Sequence, residues 1–208
     1  MKPDLTSTSF IDKEPAQKAG LPSGPFRQAG AGNHGSLLIY VPRNPIGLLI
    51  NASTGGYGYS HLAIDCGDID IPSGKRVMIE ATFGLGVHTS FQDEYGERKF
   101  TRIPLEKVTQ NIPEFCDCVR SKIGEKFDEE EILTIGLLYD PNKQICSDLA
   151  TGCLPESVRI NMARFQRRGI LYSFSRLFPP RLAHKIYRLF ITPNGFARYF
   201  GAPRGEQL

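Results

Sequence analysis

The residue pattern predicts an α+β domain, a small antiparallel sheet packed against helices. Two observations carry that prediction. Between residues 36 and 105, short apolar or alternating runs are bounded by Gly and Pro, as strands are. Beyond residue 112, apolar residues recur at helical spacing and helix-start signals appear. Strands first and helices after speaks against an alternating parallel-sheet fold, and the chain has no internal repeat.

Residues 1–33 are rich in Pro, Gly, Ser, Lys and Gln without a period, which predicts a loosely ordered N-terminal extension. Residues 34–208 are expected to form a single domain, a length suited to one core. Leu37 to Val41 reads as a strand. Pro45 to Ala52 reads as a short helix ended by Gly55 and Gly56. Ser60 to Cys66 alternates, placing His61, Ala63 and Asp65 on one face and Leu62, Ile64 and Cys66 on the other. Arg76 to Ala81, Gly86 to Ser90 and Phe100 to Leu105 complete the strands. Pro113 to Ile123 puts Phe115, Val119 and Ile123 on one helical face, with Gly124 as its stop. Asp128 with Glu131 resembles a capping box opening a helix over Glu129 to Leu138. The turn Tyr139-Asp140-Pro141-Asn142 follows, then a helix from about Ile145 to Cys153. Two more helices are expected, over Arg176 to Phe190 and after Thr192-Pro193.

The formal charge of +3 does not by itself point to nucleic acid, and no recognition motif accompanies the basic residues. From Arg159 onward Glu206 is the only acidic side chain, so this end could meet an acidic or membrane surface; a solvated basic face is the plainer account. No apolar run reaches the roughly 20 residues that span a bilayer. The start lacks the apolar core of a signal peptide. Five cysteines without framework or zinc-site spacing suggest reduced thiols, and with them a cytoplasmic protein needing no metal or other cofactor.

Three residues invite a chemical reading. Cys146 follows a polar turn and opens a helix, where the dipole and unpaired N–H groups favour a thiolate and can hold an oxyanion. A small buried hydrophobe is the alternative. His61 begins a strand after a Gly- and Tyr-rich segment and suits a general base, or else a satisfied core histidine. Glu80 ends the apolar run Val77-Met78-Ile79, an awkward place for a carboxylate without a partner. A neighbouring strand could set it beside His61 as the group that orients the ring. Asp65 shares the histidine's face but lies roughly 13 Å along the same strand. His88, on the next strand, is a further candidate with an exposed strand position as its simpler role.

Taken together the surroundings of these residues resemble the circularly permuted NlpC/P60 proteins. That group includes YiiX-like cysteine peptidases and, more distantly, lecithin:retinol acyltransferase relatives. The similar stretches are Gly35 to Tyr40; Thr54 to Ile64 around His61; Val77 to Ala81 followed by Gly86-Val87; Gly124-x-x-Phe127-Asp128; Ile145 to Leu149 around Cys146; and Thr192-Pro193. They span about residues 35–195 in one order. Asp148 and Phe127 depart from the family's glutamate and tyrosine. The resemblance implies a papain-like core in which the histidine strand precedes the cysteine helix. It implies Cys146 as nucleophile, His61 as base and Glu80 as third member. Ser147 and Tyr59 are the supporting candidates around the oxyanion.

The expected activity is hydrolysis of an amide, in a peptide or peptidoglycan-type fragment, through a thioester. Transfer of an acyl group to or from a lipid is the first alternative, suggested also by the mixed basic and apolar stretch Leu177 to Phe200. A non-catalytic binding module on the same fold is the second.

Overall fold

Cross-strand register, more than any single residue, arranges this molecule. The computed structural model describes residues 26–27, 35–53, 56–96, 98–128, 143–165 and 191–205. Strands β2 (Ser36–Tyr40), β3 (His61–Asp70), β4 (Arg76–Thr82), β5 (Gly86–Phe91) and β6 (Phe100–Pro104) form an antiparallel sheet in the order β5-β4-β3-β2-β6. The two-residue β1 (Phe26–Arg27) pairs with the far end of β3. A parallel pair, β7 (Lys126–Phe127) with β8 (Lys143–Gln144), forms a second sheet beside β5. The described helices are α1 (Pro45–Ser53), α2 (Leu105–Val108), α3 (Ile112–Ser121), α4 (Cys146–Gly152), α5 (Glu156–Phe165) and α6 (Pro193–Tyr199). The predicted α+β class with a small antiparallel sheet is what the chain forms.

One sheet face carries Leu37, Ile39, Leu62, Ile64, Ile79, Ala81, Val87 and Ile103 into the main core. There they meet Phe115 and Val119 of α3, Leu149 and Ala150 of α4, and Phe196 of α6. The opposite face buries a smaller cluster of Leu38, Tyr40, Ala63 and Met78. Its cover comes partly from the β5–β6 connection, which leaves one sheet edge at Phe91 and reaches the other at Phe100. On that crossing the Arg98 guanidinium lies 4.9 Å from the Tyr40 ring centre, and its Nε donates to the Val41 carbonyl.

The predicted strands and the helices at α1, α3, α4 and α6 stand where expected, with shifted ends. Strand β3 runs on to Asp70 because Gly67, at φ 79°, allows an irregularity between Asp65 and Ile69. Helix α3 stops at Ser121, so Ile123 lies beyond it and 39% exposed. Helix α5 was not anticipated. The helices expected over Glu129 to Leu138 and Arg176 to Phe190, the turn at 139–142, and most of the 1–33 extension lie outside the described residues.

The expectation of reduced thiols is overturned. Cys66 bonds to Cys116 and Cys118 to Cys153, with Cα atoms 5.8 and 5.6 Å apart. The physical reason is helical geometry: residues two apart on α3 point to nearly opposite sides. Cys116 therefore faces the sheet while Cys118 faces the end of α4. The cytoplasmic placement, expected from the start of the chain and the lack of a spanning run as well as from free thiols, loses the last of these grounds; among the described residues no helix is long and apolar enough to cross a membrane. Each bond closes a loop, of sequence separation 50 and 35. Removing one, as in Cys66→Ser, is expected to cost about 2–4 kcal/mol by denaturant titration, whereas Cys146→Ser leaves both loops closed.

Candidate active site

Register alone brings two of the singled-out residues together. Ala63 stands opposite Glu80 across β3 and β4, so His61 lies diagonally two residues away on the same face. Long side chains span such a diagonal. His61 Nε2 donates to Glu80 Oε2 at 2.6 Å. Glu80 is 1% exposed, and its other oxygen accepts from the Ser90 hydroxyl.

Cys146 completes the arrangement from the other side. It is the one cysteine outside a disulfide and the first residue of α4, which packs against β3 and β4. Its thiol lies close enough to the imidazole to act on that ring's titration. Since Nε2 is held by Glu80, Nδ1 is the ring nitrogen left for the sulfur. Ile145, at the N-cap, provides no side-chain cap for the first turn of α4. The N–H groups of that turn have no intrahelical acceptor by position and point toward the sulfur's end of the helix.

The imidazole titrates far from its ordinary range. Burial pulls its pKa down, but hydrogen bonds to Cys146 and Glu80 and their negative charges outweigh this and raise it to about 9. The imidazolium is thus the resting form beside sulfur and carboxylate. A raised folded-state pKa contributes stability that is full below about 6.5, the unfolded value, and is lost as pH rises through about 9.

The remaining predicted residues fall elsewhere or nearby. Ser147 is buried in the first turn of α4, and its carbonyl accepts from the Thr151 hydroxyl at 3.0 Å. Tyr59 has a different task from oxyanion support. Its hydroxyl donates to the Pro203 carbonyl at 2.7 Å and accepts from Thr101 at 2.7 Å, fastening the C-terminal segment to the sheet. Asp65 is fully buried and engaged by Arg76 at 2.9 Å, away from the histidine. His88 stands directly opposite Glu80, with Nε2 3.8 Å from Oε1 and Nδ1 donating to the Gly86 carbonyl at 3.1 Å.

Sequence reasoning missed Ser90 and Asn194. The β4–β5 hairpin turns about Gly84, so 80 faces 88, and 90 lies on the same face; counting from the turn would have found Ser90. Asn194 has no such signal. Its buried amide accepts from the Tyr59 N–H at 2.9 Å and donates to Asn51 of α1, holding the segment that leads into His61. Tyr40, opposite His61 with ring centres 5.9 Å apart, walls the second face. Burial, then the charge of Glu80, keeps its phenol protonated well beyond the usual range. Among the described residues no group of three or more His, Cys, Asp and Glu side chains is placed to hold a metal ion.

No protein-family model matches the chain, and no curated protein matches it.

The opposing causes of the His61 shift can be separated. An imidazole NMR titration is expected to show a midpoint near 9. Cys146→Ala and Glu80→Gln should each lower it, because one stabilising partner goes while burial stays. An unmoved midpoint in both variants would remove the assigned cause.

Proposed function

We propose that the chain is a cysteine hydrolase of the permuted NlpC/P60, papain-like kind, acting on an amide carbonyl in a peptide or peptidoglycan-type fragment. The observation that carries this is the setting of Cys146, at the start of α4, beside a His61 that is itself hydrogen-bonded to Glu80. A nucleophile, a base and an orienting group in hydrogen-bonded series are what acyl transfer through a thioester requires. Order along the sequence is immaterial to it.

In the first step the Cys146 sulfur attacks the carbonyl carbon, forming a C–S bond. The developing oxyanion lies against the uncapped N–H groups of the α4 first turn, at Cys146 and Ser147. The His61 imidazolium gives its proton to the leaving nitrogen, the C–N bond breaks, and the amine departs. His61, now neutral, accepts a proton from water as the water oxygen attacks the thioester. The C–S bond breaks, the acid product leaves, and the thiolate–imidazolium pair is restored. Glu80 keeps the ring oriented with Nε2–H toward itself and balances the positive charge each time it forms.

The two disulfides support a working environment more oxidising than the cytosol. With the four other cysteines paired, Cys146 has no thiol of its own chain left to bond.

The reading is tested by labelling the intact, oxidised protein with iodoacetamide near pH 6, where ordinary thiols of pKa about 8.5 react slowly. Cys146 is expected to label at least about tenfold faster than a free cysteine peptide. Cys146→Ala should take no label. Labelling no faster than the peptide would sink the activated-thiol claim. With a cleavable amide in hand, His61→Ala is expected to slow acylation by roughly 10²–10⁴-fold, the usual worth of general acid–base catalysis.

A further inference from the structure

Exposed large apolar side chains are not scattered evenly over this molecule. Helix α1 leaves β2 just beyond Tyr40, the residue opposite His61, and its Gly47 packs against Ser60 and Pro42. On it Leu48 and Leu49 are 57% and 62% exposed. Thr82, at the end of β4, pairs with Gly86, so the β4–β5 turn projects from the same end of the sheet. It carries Phe83 and Leu85, 56% and 58% exposed. Ile123 joins them, since Gly124 N–H donates to the Val87 carbonyl and Glu125 backs Gly86.

Around α1 the charge has one sign. Arg43 is exposed just before α1. Arg198 and Arg204 lie 5.0 and 5.7 Å from the Tyr57 ring centre, and Tyr57 belongs to the segment that Asn51 of α1 holds. Neither residues 35–60 nor residues 191–205 contain an Asp or Glu. An apolar rim bordered by arginines, with Glu125 beside Gly86 already paired to Lys122, suits an interface of hydrocarbon under anionic headgroups. It does not suit a second copy of itself, whose rim would present the same charge. Two adjacent leucines left mostly exposed on one short helix are also out of place in water.

We propose that the rim of Leu48, Leu49, Phe83 and Leu85, with Arg43, Arg198 and Arg204, docks the protein on an anionic phospholipid surface. The histidine end of the sheet then faces the lipid. Docking is independent of the thiol chemistry, so Cys146→Ala is expected to bind as the unmodified protein does.

The test is sedimentation of the full chain, disulfides intact, with vesicles of equimolar phosphatidylglycerol and phosphatidylcholine, and with phosphatidylcholine alone. Binding to the anionic vesicles is expected, and it should weaken as salt rises from about 0.05 to about 0.5 M. Leu48→Ser with Leu49→Ser, or Phe83→Ser with Leu85→Ser, should lower partitioning at least about tenfold. Arg43→Glu with Arg204→Glu should abolish the preference for anionic vesicles. Ile71 is 59% exposed at the opposite end of the sheet, so Ile71→Ser should change nothing. No binding by the unmodified protein, an equal loss in Ile71→Ser, or dimers held by the rim in place of vesicle binding would each overturn the proposal.

Discussion

The buried carboxylate of Glu80 is the constraint on which the rest of the site depends. An isolated carboxylate at 1% exposure would be costly by several kcal/mol unless paired and hydrogen-bonded. Its partners come from both neighbouring strands: His61 from β3, and Ser90 and His88 from β5. A slip of either strand by one residue would turn these side chains to the other face and leave the charge against hydrocarbon. The same slip would turn Leu62, Ile64 and Ile79 out of the main core. Apolar packing and the polar relay therefore select one register, and His61 inherits its position from both.

Placing the sulfur is a separate problem, solved by covalent means. Helix α4 is short, and a helix of that length is not stable alone. Leu149 and Ala150 seat it on the sheet. The Cys118–Cys153 bond ties its C-terminal end to α3, and Cys66–Cys116 ties α3 to β3. The helix that carries Cys146 is thus linked back to the histidine's own strand through two bonds and one intervening helix. Thiol and imidazole lie on elements far apart in sequence yet joined by a short, stiff path.

What could be read from the sequence followed from local periodicity. Alternation in Ser60 to Cys66 assigned His61 and Leu62 to opposite faces, and the sheet keeps them there. Glu80 stood out because a charge ends an apolar run, a local anomaly whose remedy had to be a neighbour. Features set by tertiary placement were not legible. Residues 156–165 carry weak apolar periodicity, Phe165 being half-exposed, so α5 gave little signal. The disulfides depend on which way α3 faces once docked, and spacing does not contain that. Tyr59 was near the histidine in sequence, but its hydroxyl meets Pro203, a partner 144 residues away.

The disulfides raise a question that the fold itself answers. A free thiol beside disulfides can attack them and scramble the pairing, since exchange needs only a thiolate and access to a sulfur. Cys146 and Cys153 sit at opposite ends of α4, seven residues apart, a rise of about 10 Å at ordinary helical geometry. That distance is far beyond bonding contact, and Leu149 and Ala150 fill the core between them. The second bond, Cys66–Cys116, lies where α3 meets β3, five residues along the strand from His61. The helix that aims the thiol at His61 also holds it away from the sulfurs that anchor the helix. A free cysteine and a disulfide-stapled scaffold are compatible here because one rigid element separates them.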